Sequence, residues 1–156
     1  MYEILLKEAT QQGLDIYEEK MKPRIKGLYA DNVIWINELI TTSNEKACVL
    51  AEELGHYHTT VGDILNQQSI LDRKQEKVAR AWAYKKLVPF TKIIDAYKEG
   101  ITNKYEFAEY LGVTESFLLE AINRYKEEHG LFAKIDQYTI FFEPFAVMEM
   151  FDDRTW

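Results

Sequence analysis

The sequence predicts an α+β fold, mostly helical, with a β-hairpin near the start and a C-terminal helix-turn-helix-like helical extension. Three observations predict it. Apolar residues recur at helical spacing through most of the chain. Two β-rich segments are each split by a turn pair, Asp31-Asn32 and Asp136-Gln137. With 7 glycines and 3 prolines in 156 residues, and no internal repeat, there is no linker composition, so the elements are joined tightly.

Taken in order, Ile4, Leu5, Ala9, Ile16 and Tyr17 recur at roughly helical spacing, which predicts a helix over 2–21 ended by Pro23. Residues 24–37 read as a hairpin about Asp31-Asn32. Thr42 and Glu45 have capping-box spacing, so a helix starts there and continues through His58. The polar stretch 59–70 reads as a loop positioned to cover a cleft. A helix follows over 71–88, with Val78, Ala81, Trp82 and Leu87 expected inside and Pro89 as its stop. Shorter helices are expected over 91–99, 104–111 and 115–129, the last closed by Gly130. Strands at 132–135 and 138–142 form a second hairpin, and a short helix is expected over 144–151. The connections are too short for crossovers, which predicts antiparallel strands.

Composition excludes several classes of function. Lys plus Arg is 19 and Asp plus Glu is 26, a net charge of −7, whereas a non-specific nucleic-acid binder needs a basic excess. The single cysteine, Cys48, permits neither an internal disulfide nor a cysteine-cluster zinc site. No apolar run approaches the ~18 residues of a membrane span. The first residues lack a basic segment followed by an apolar one, so no signal peptide is expected. These features predict a cytoplasmic protein with no membrane partner.

The stretch Leu50-Ala51-Glu52-Glu53-Leu54-Gly55-His56-Tyr57-His58 carries the chemistry. Zinc peptidases use H-E-x-x-H on a helix, because residues four apart share a face and the Glu between them can take a proton from the attacking water. Here Glu53 fills the base position and His56 the second ligand position, while Glu52 stands at the first. A carboxylate and an imidazole four apart still share a face, and zinc accepts both. Glu76, near the start of the next helix, is the candidate third ligand. Three ligands Glu52, His56 and Glu76 would carry two negative charges, weaken the Lewis acid and bring Mn²⁺ into consideration behind Zn²⁺. Two bland readings compete: a glutamate pair is commonly a solvated helix face, and a lone histidine is commonly a satisfied, half-buried one. His58 is a rival ligand only if the helix ends at Tyr57, since i+2 points elsewhere.

Three blocks extend the pattern. They are Gly27-Leu28-Tyr29-Ala30-Asp31-Asn32-Val33-Ile34-Trp35-Ile36-Asn37, then Leu50 to His56, then Glu76-Lys77-Val78-Ala79-Arg80-Ala81-Trp82-Ala83 with Leu87-Val88-Pro89. In order and spacing they resemble the ImmA/IrrE metallopeptidases over residues 24–90. That family shows a glycine-led hairpin ending in I-N, a zinc helix A-H-E-L-G-H, and a helix E-x-x-A-N-x-F-A ending in L-x-P. The resemblance implies a zincin-like peptidase core over 1–90, with 91–156 as a helical extension. It implies that His56 and Glu76 are zinc ligands and Glu53 the catalytic glutamate, with Glu52 in the place of the first histidine. Arg80 stands for the family's Asn and Trp82 for its Phe, both taken as packing positions. The implied activity is a metal-dependent endopeptidase of narrow specificity that cleaves a helix-turn-helix repressor of a phage or mobile element. Tyr57 and Tyr84 are both candidate oxyanion donors, and nothing in the sequence selects between them. The alternative is an anti-repressor that binds its partner without efficient hydrolysis.

Residues 104–125 have helix-turn-helix spacing at Ala108, Gly112, Val113 and Leu118. A DNA reader needs basic and amide side chains at the start of its second helix. Here that start carries Glu115 and Glu120, which repel phosphate. Direct nucleic-acid binding is therefore not expected, and the pair reads as fold completion or a protein-docking element.

Overall fold

The computed structural model describes residues 1–60 and 69–150, with residues 69–72 described by backbone alone. Among them are six helices and six strands, and about half of the chain is helical. The predicted loop 59–70 falls mostly on residues 61–68, outside the described residues; Thr59 and Ser69 belong to the helices on either side.

The first helix, α1 (Tyr2–Gln11), is shorter than the 2–21 expected. Gly13 takes φ +84° and redirects the chain. Strand β1 (Asp15–Glu19) follows, so Ile16 and Tyr17 sit in a strand and not in the helix. Strands β2 (Gly27–Ala30) and β3 (Val33–Asn37) form the expected hairpin. Its turn residues Asp31 and Asn32 take φ of 49° and 63°, the left-handed pair that a two-residue hairpin needs and that Asp and Asn tolerate. The sheet order is β1-β3-β2, and β1 runs parallel to β3. This corrects the all-antiparallel expectation: β2 itself returns the chain, so no long crossover is required.

Asn37 locks this corner. It is 1% exposed, and its Nδ2 donates to the carbonyls of Met21 (3.3 Å), Lys22 (3.1 Å) and Ile25 (2.7 Å). Its Oδ1 accepts from the amides of Met21 (3.2 Å) and Leu39 (3.0 Å). One buried side chain therefore satisfies the backbone of the irregular segment that leads into β2.

Helix α2 (Ser43–Thr59) starts at the predicted cap, with Thr42 accepting from the Glu45 amide at 3.2 Å. Helix α3 (Ser69–Leu87) packs along it. The α3 core positions are Ala79, Ala83, Tyr84 and Leu87. Of the four expected inside, only Leu87 is buried: Val78 is 51% exposed, and Ala81 and Trp82 are half-buried. The helix is rotated so that small residues meet α2. Gly55 explains why, since a Cβ on it would lie 2.3 Å from the Ala79 carbonyl oxygen.

Helices α4 (Phe90–Lys98), α5 (Lys104–Leu111) and α6 (Glu115–His129) follow the predicted boundaries closely. Strands β4 (Phe132–Ile135), β5 (Tyr138–Phe142) and β6 (Phe145–Glu149) form a second, antiparallel sheet in chain order. The short helix expected over 144–151 is thus replaced by β6 as far as Glu149. Half-buried Phe145, Val147 and Glu149 alternate there with exposed Ala146 and Met148, a period of two. One apolar cluster runs from Leu5 through Ile34, Ile36, Leu50, Leu87, Ile93 and Leu118 to Ile140. No helix among the described residues is long and apolar enough to cross a membrane.

The α2–α3 contact yields a prediction. Gly55→Ala forces a methyl group into the Ala79 carbonyl, so the helices must part, at a cost of about 1–3 kcal/mol for overpacking. Urea unfolding is the measurement. A midpoint equal to that of the unmodified chain would show that the close approach is not needed.

Candidate active site

Three elements carry the predicted residues, and they bring Glu53, His56 and Glu76 to one cavity. Helix α2 supplies Glu52, Glu53 and His56; α3 supplies Glu76; β2 supplies Gly27, Leu28 and Tyr29. A cavity of about 280 Å³ is lined by Glu53, His56 and Glu76 with those three β2 residues. Gly27 lets β2 lie against α2, because a Cβ there would come within 2.7 Å of Val49 Cγ1 and 3.1 Å of Glu53 Oε1.

His56 Nε2 donates to Glu76 Oε2 at 3.0 Å. Each partner shifts the other: this bond holds the His56 pKa above its ordinary value and the Glu76 pKa below its own. The other oxygen of Glu76 lies 3.5 Å from Arg80 Nε, one turn along α3. Glu53 is largely removed from water, and burial, with smaller repulsion from Glu52 and Glu76, raises its pKa to about 7. Burial likewise raises Glu52 to about 7, against the attraction of Arg80.

Glu52 is not on the wall of the cavity that Glu53, His56 and Glu76 line; its charged neighbours include Arg80, Glu76 and Glu120. Among the described residues, no three His, Cys, Asp or Glu side chains converge on one point within metal-ligand reach. His58 stacks on Trp82, with ring centroids 4.7 Å apart and planes 17° from parallel, and is not on the cavity wall. Tyr57 meets Tyr29 edge-on at 6.0 Å, and the Tyr84 hydroxyl donates to Glu120 Oε2 at 3.1 Å.

The donor set suits a divalent cation. An imidazole and a carboxylate are both donors that zinc accepts, and His56 Nε2 and Glu76 Oε2 already meet at 3.0 Å through a hydrogen bond whose proton a cation would replace. Beside them lie two half-buried carboxyl groups, Glu52 and Glu53, whose raised pKa values reflect lost hydration, the condition a cation would relieve.

Sequence reasoning missed the part played by Arg80. Its place in the motif predicts a packing position, yet its side chain is 50% exposed and reaches Glu76. The available signal was the Glu76–Arg80 spacing of four on one helix.

Among known proteins, the model of the peptidase M78 family, described as the IrrE N-terminal-like domain, matches residues 9–123. No curated protein and no solved structure matches the chain.

The two raised carboxyls give a pH prediction for metal-free protein. A carboxyl near 7 when folded and 4.5 when unfolded binds extra protons in the folded state. Its stabilising contribution is full below pH 4.5 and lost as pH rises through 7. His56, also raised, acts in the same direction, whereas Glu76 contributes above 4.5 and loses its contribution on acidification. Stability should therefore fall between about pH 5 and 8, and Glu53→Gln should flatten that slope. Thermal melts in chelator across this range are the measurement, and parallel slopes for the two proteins would contradict it.

Proposed function

The chain belongs to the IrrE N-terminal-like domain family, peptidase M78, and on that premise we propose that it is a metal-dependent endopeptidase of narrow specificity. The family is one of metallopeptidases. The observation that best supports the proposal is the meeting of Glu53, His56 and Glu76 on the walls of one cavity beside β2. In this reading 1–90 form a zincin-like core and 91–156 a helical extension with the helix-turn-helix-like pair α5–α6. The protein works in the cytoplasm, and its substrate is a helix-turn-helix repressor of a phage or mobile element. The net charge of −7 suits a basic DNA-binding target.

His56 and Glu76, which line the cavity, are the residues that would hold zinc, with manganese as the second choice; Glu52, at the first ligand position of the motif but off the cavity wall, would complete the set only by turning its carboxylate into the cavity. When bound, the cation supplies a Lewis acid that polarises the scissile carbonyl and acidifies water. The protein's own residues do the rest. Glu53 takes a proton from the attacking water and returns it to the leaving amine as the C–N bond breaks. Its partial exclusion from water keeps its proton affinity near neutrality, where both transfers are cheap. Without a cation Glu76 accepts from His56 Nε2, a proton that a bound cation would replace, while Arg80 reaches the other Glu76 oxygen and fixes that carboxylate in the cleft. Leu28 and Tyr29 form the opposite wall and limit what can reach Glu53.

Co-expression with a helix-turn-helix repressor tests the proposal. The purified protein should hold about one metal ion per chain and cut the repressor. Glu53→Gln should lower cleavage by about 10²–10⁴-fold, the usual worth of a general base, while metal content is kept. Metal-free protein that inactivates the repressor and leaves it intact would instead establish an anti-repressor acting by binding alone.

A further inference from the structure

The geometry points to a carboxylate-binding subsite in the groove between α3 and α6, which takes an acidic side chain of the peptide substrate close to the scissile bond. This inference rests on the peptidase reading above and names a specificity element for it.

The groove has a volume of about 480 Å³, and Glu76 lines both it and the cavity that holds Glu53 and His56. The two spaces therefore adjoin at the candidate catalytic centre. Arg73, Lys77 and Arg80 line the α3 wall, spaced four and three apart, so they form one basic stripe. Asn123 and Arg124 line the α6 wall opposite.

The acidic groups of the groove are already engaged. Glu76 is held by His56 and Arg80, Glu120 accepts from the Tyr84 hydroxyl at 3.1 Å, and Glu127 lies 3.5 Å from Arg124. Arg73 and Lys77, by contrast, form no ion pair among the described residues. The lining as a whole carries four basic side chains against three acidic ones, so among the described residues its excess charge is positive. A substrate carboxylate there would gain charge-assisted hydrogen bonds, roughly twice as strong as neutral ones. A substrate lysine would meet the basic stripe, with Glu76 and Glu127 already paired to arginines and Glu120 alone among the groove's described carboxylates held only by a hydroxyl.

The walls are held at a fixed separation. The buried Tyr125 hydroxyl, on α6, donates toward the carbonyls of Tyr84 (3.2 Å) and Val88 (2.8 Å) at the end of α3. Phe117 packs edge-on to Tyr84, with centroids 5.1 Å apart. The pocket is therefore preorganised and needs no closure to form. The arrangement also gives the helix-turn-helix look-alike a use. Glu120, Asn123, Arg124 and Glu127 of its second helix wall the groove beside the candidate active site.

Two pentapeptides test the inference, acetyl-Ala-Ala-Glu-Ala-Ala-amide and its Gln counterpart, titrated into Glu53→Gln protein so that neither is consumed. Backbone amide chemical shifts report both affinity and place. The Glu peptide should bind at least fivefold more tightly, shifting resonances of Lys77, Arg80 and Asn123. Lys77 is exposed, so K77E should fold, and it should abolish that preference. Equal affinities for the two peptides, no binding of either, or a preference unchanged in K77E would each overturn the inference. Unmodified, metal-loaded protein that shows the preference but leaves a co-expressed repressor uncut overturns the peptidase reading and leaves the subsite standing.

Discussion

The site depends on the close approach of two helices at Gly55. With no side chain there, the Ala79 carbonyl of α3 comes down onto α2 at a distance that no Cβ could share. Ala79 and Ala83 continue the small-residue seam. Only at this separation does Glu76 reach His56 and Trp82 reach His58 across the helix pair. Gly27 makes the second close contact, against Val49 and Glu53. The active turn of α2 is thus held from two directions by elements brought near by the absence of a methyl group. Asn37 supports the second contact indirectly, because the backbone it satisfies leads straight into β2.

Much of this was legible in the sequence, for local reasons. Asp31-Asn32 announced the hairpin because those side chains tolerate left-handed backbone. Thr42, Asn103 and Thr114 each cap the helix that follows by accepting from an amide three residues on. The spacing of Glu52, Glu53 and His56 on one helix needed only the helical period. What was lost was non-local. Ile16 and Tyr17 fit a helical pattern as well as a strand, and only pairing with β3 decides between them. The rotation of α3, which exposes Val78 and buries Ala79, follows from the steric fit with Gly55 and leaves no mark on the periodicity of α3 alone.

The candidate site shows the same division. Its α2 residues could be chosen from the motif, and Glu76 from its place on the following helix. The meeting of His56 with Glu76 is a property of the packed pair of helices. The motif alone gives Arg80 a packing role, whereas its position four residues after Glu76 puts it on the same face. In a cluster with three carboxyl groups this guanidinium is a resident positive charge, and it acts on Glu52 as well as on Glu76. It offsets part of the cost of burying those acids whether or not a cation is present.

Charge therefore works at two ranges in the proposed peptidase. The chain as a whole carries −7, and a field of that sign draws a basic protein toward the surface. Screening confines such steering to about 8 Å at physiological salt, so it acts on approach and cannot choose a bond. Choice falls to contacts inside the cleft, and there the local sign reverses, with Arg73, Lys77 and Arg80 on one stripe of α3. A basic target that presents an acidic residue near its scissile bond satisfies both requirements. A uniformly basic segment satisfies only the first. Two opposed charge criteria acting at different distances would narrow the choice of bond more than either could alone.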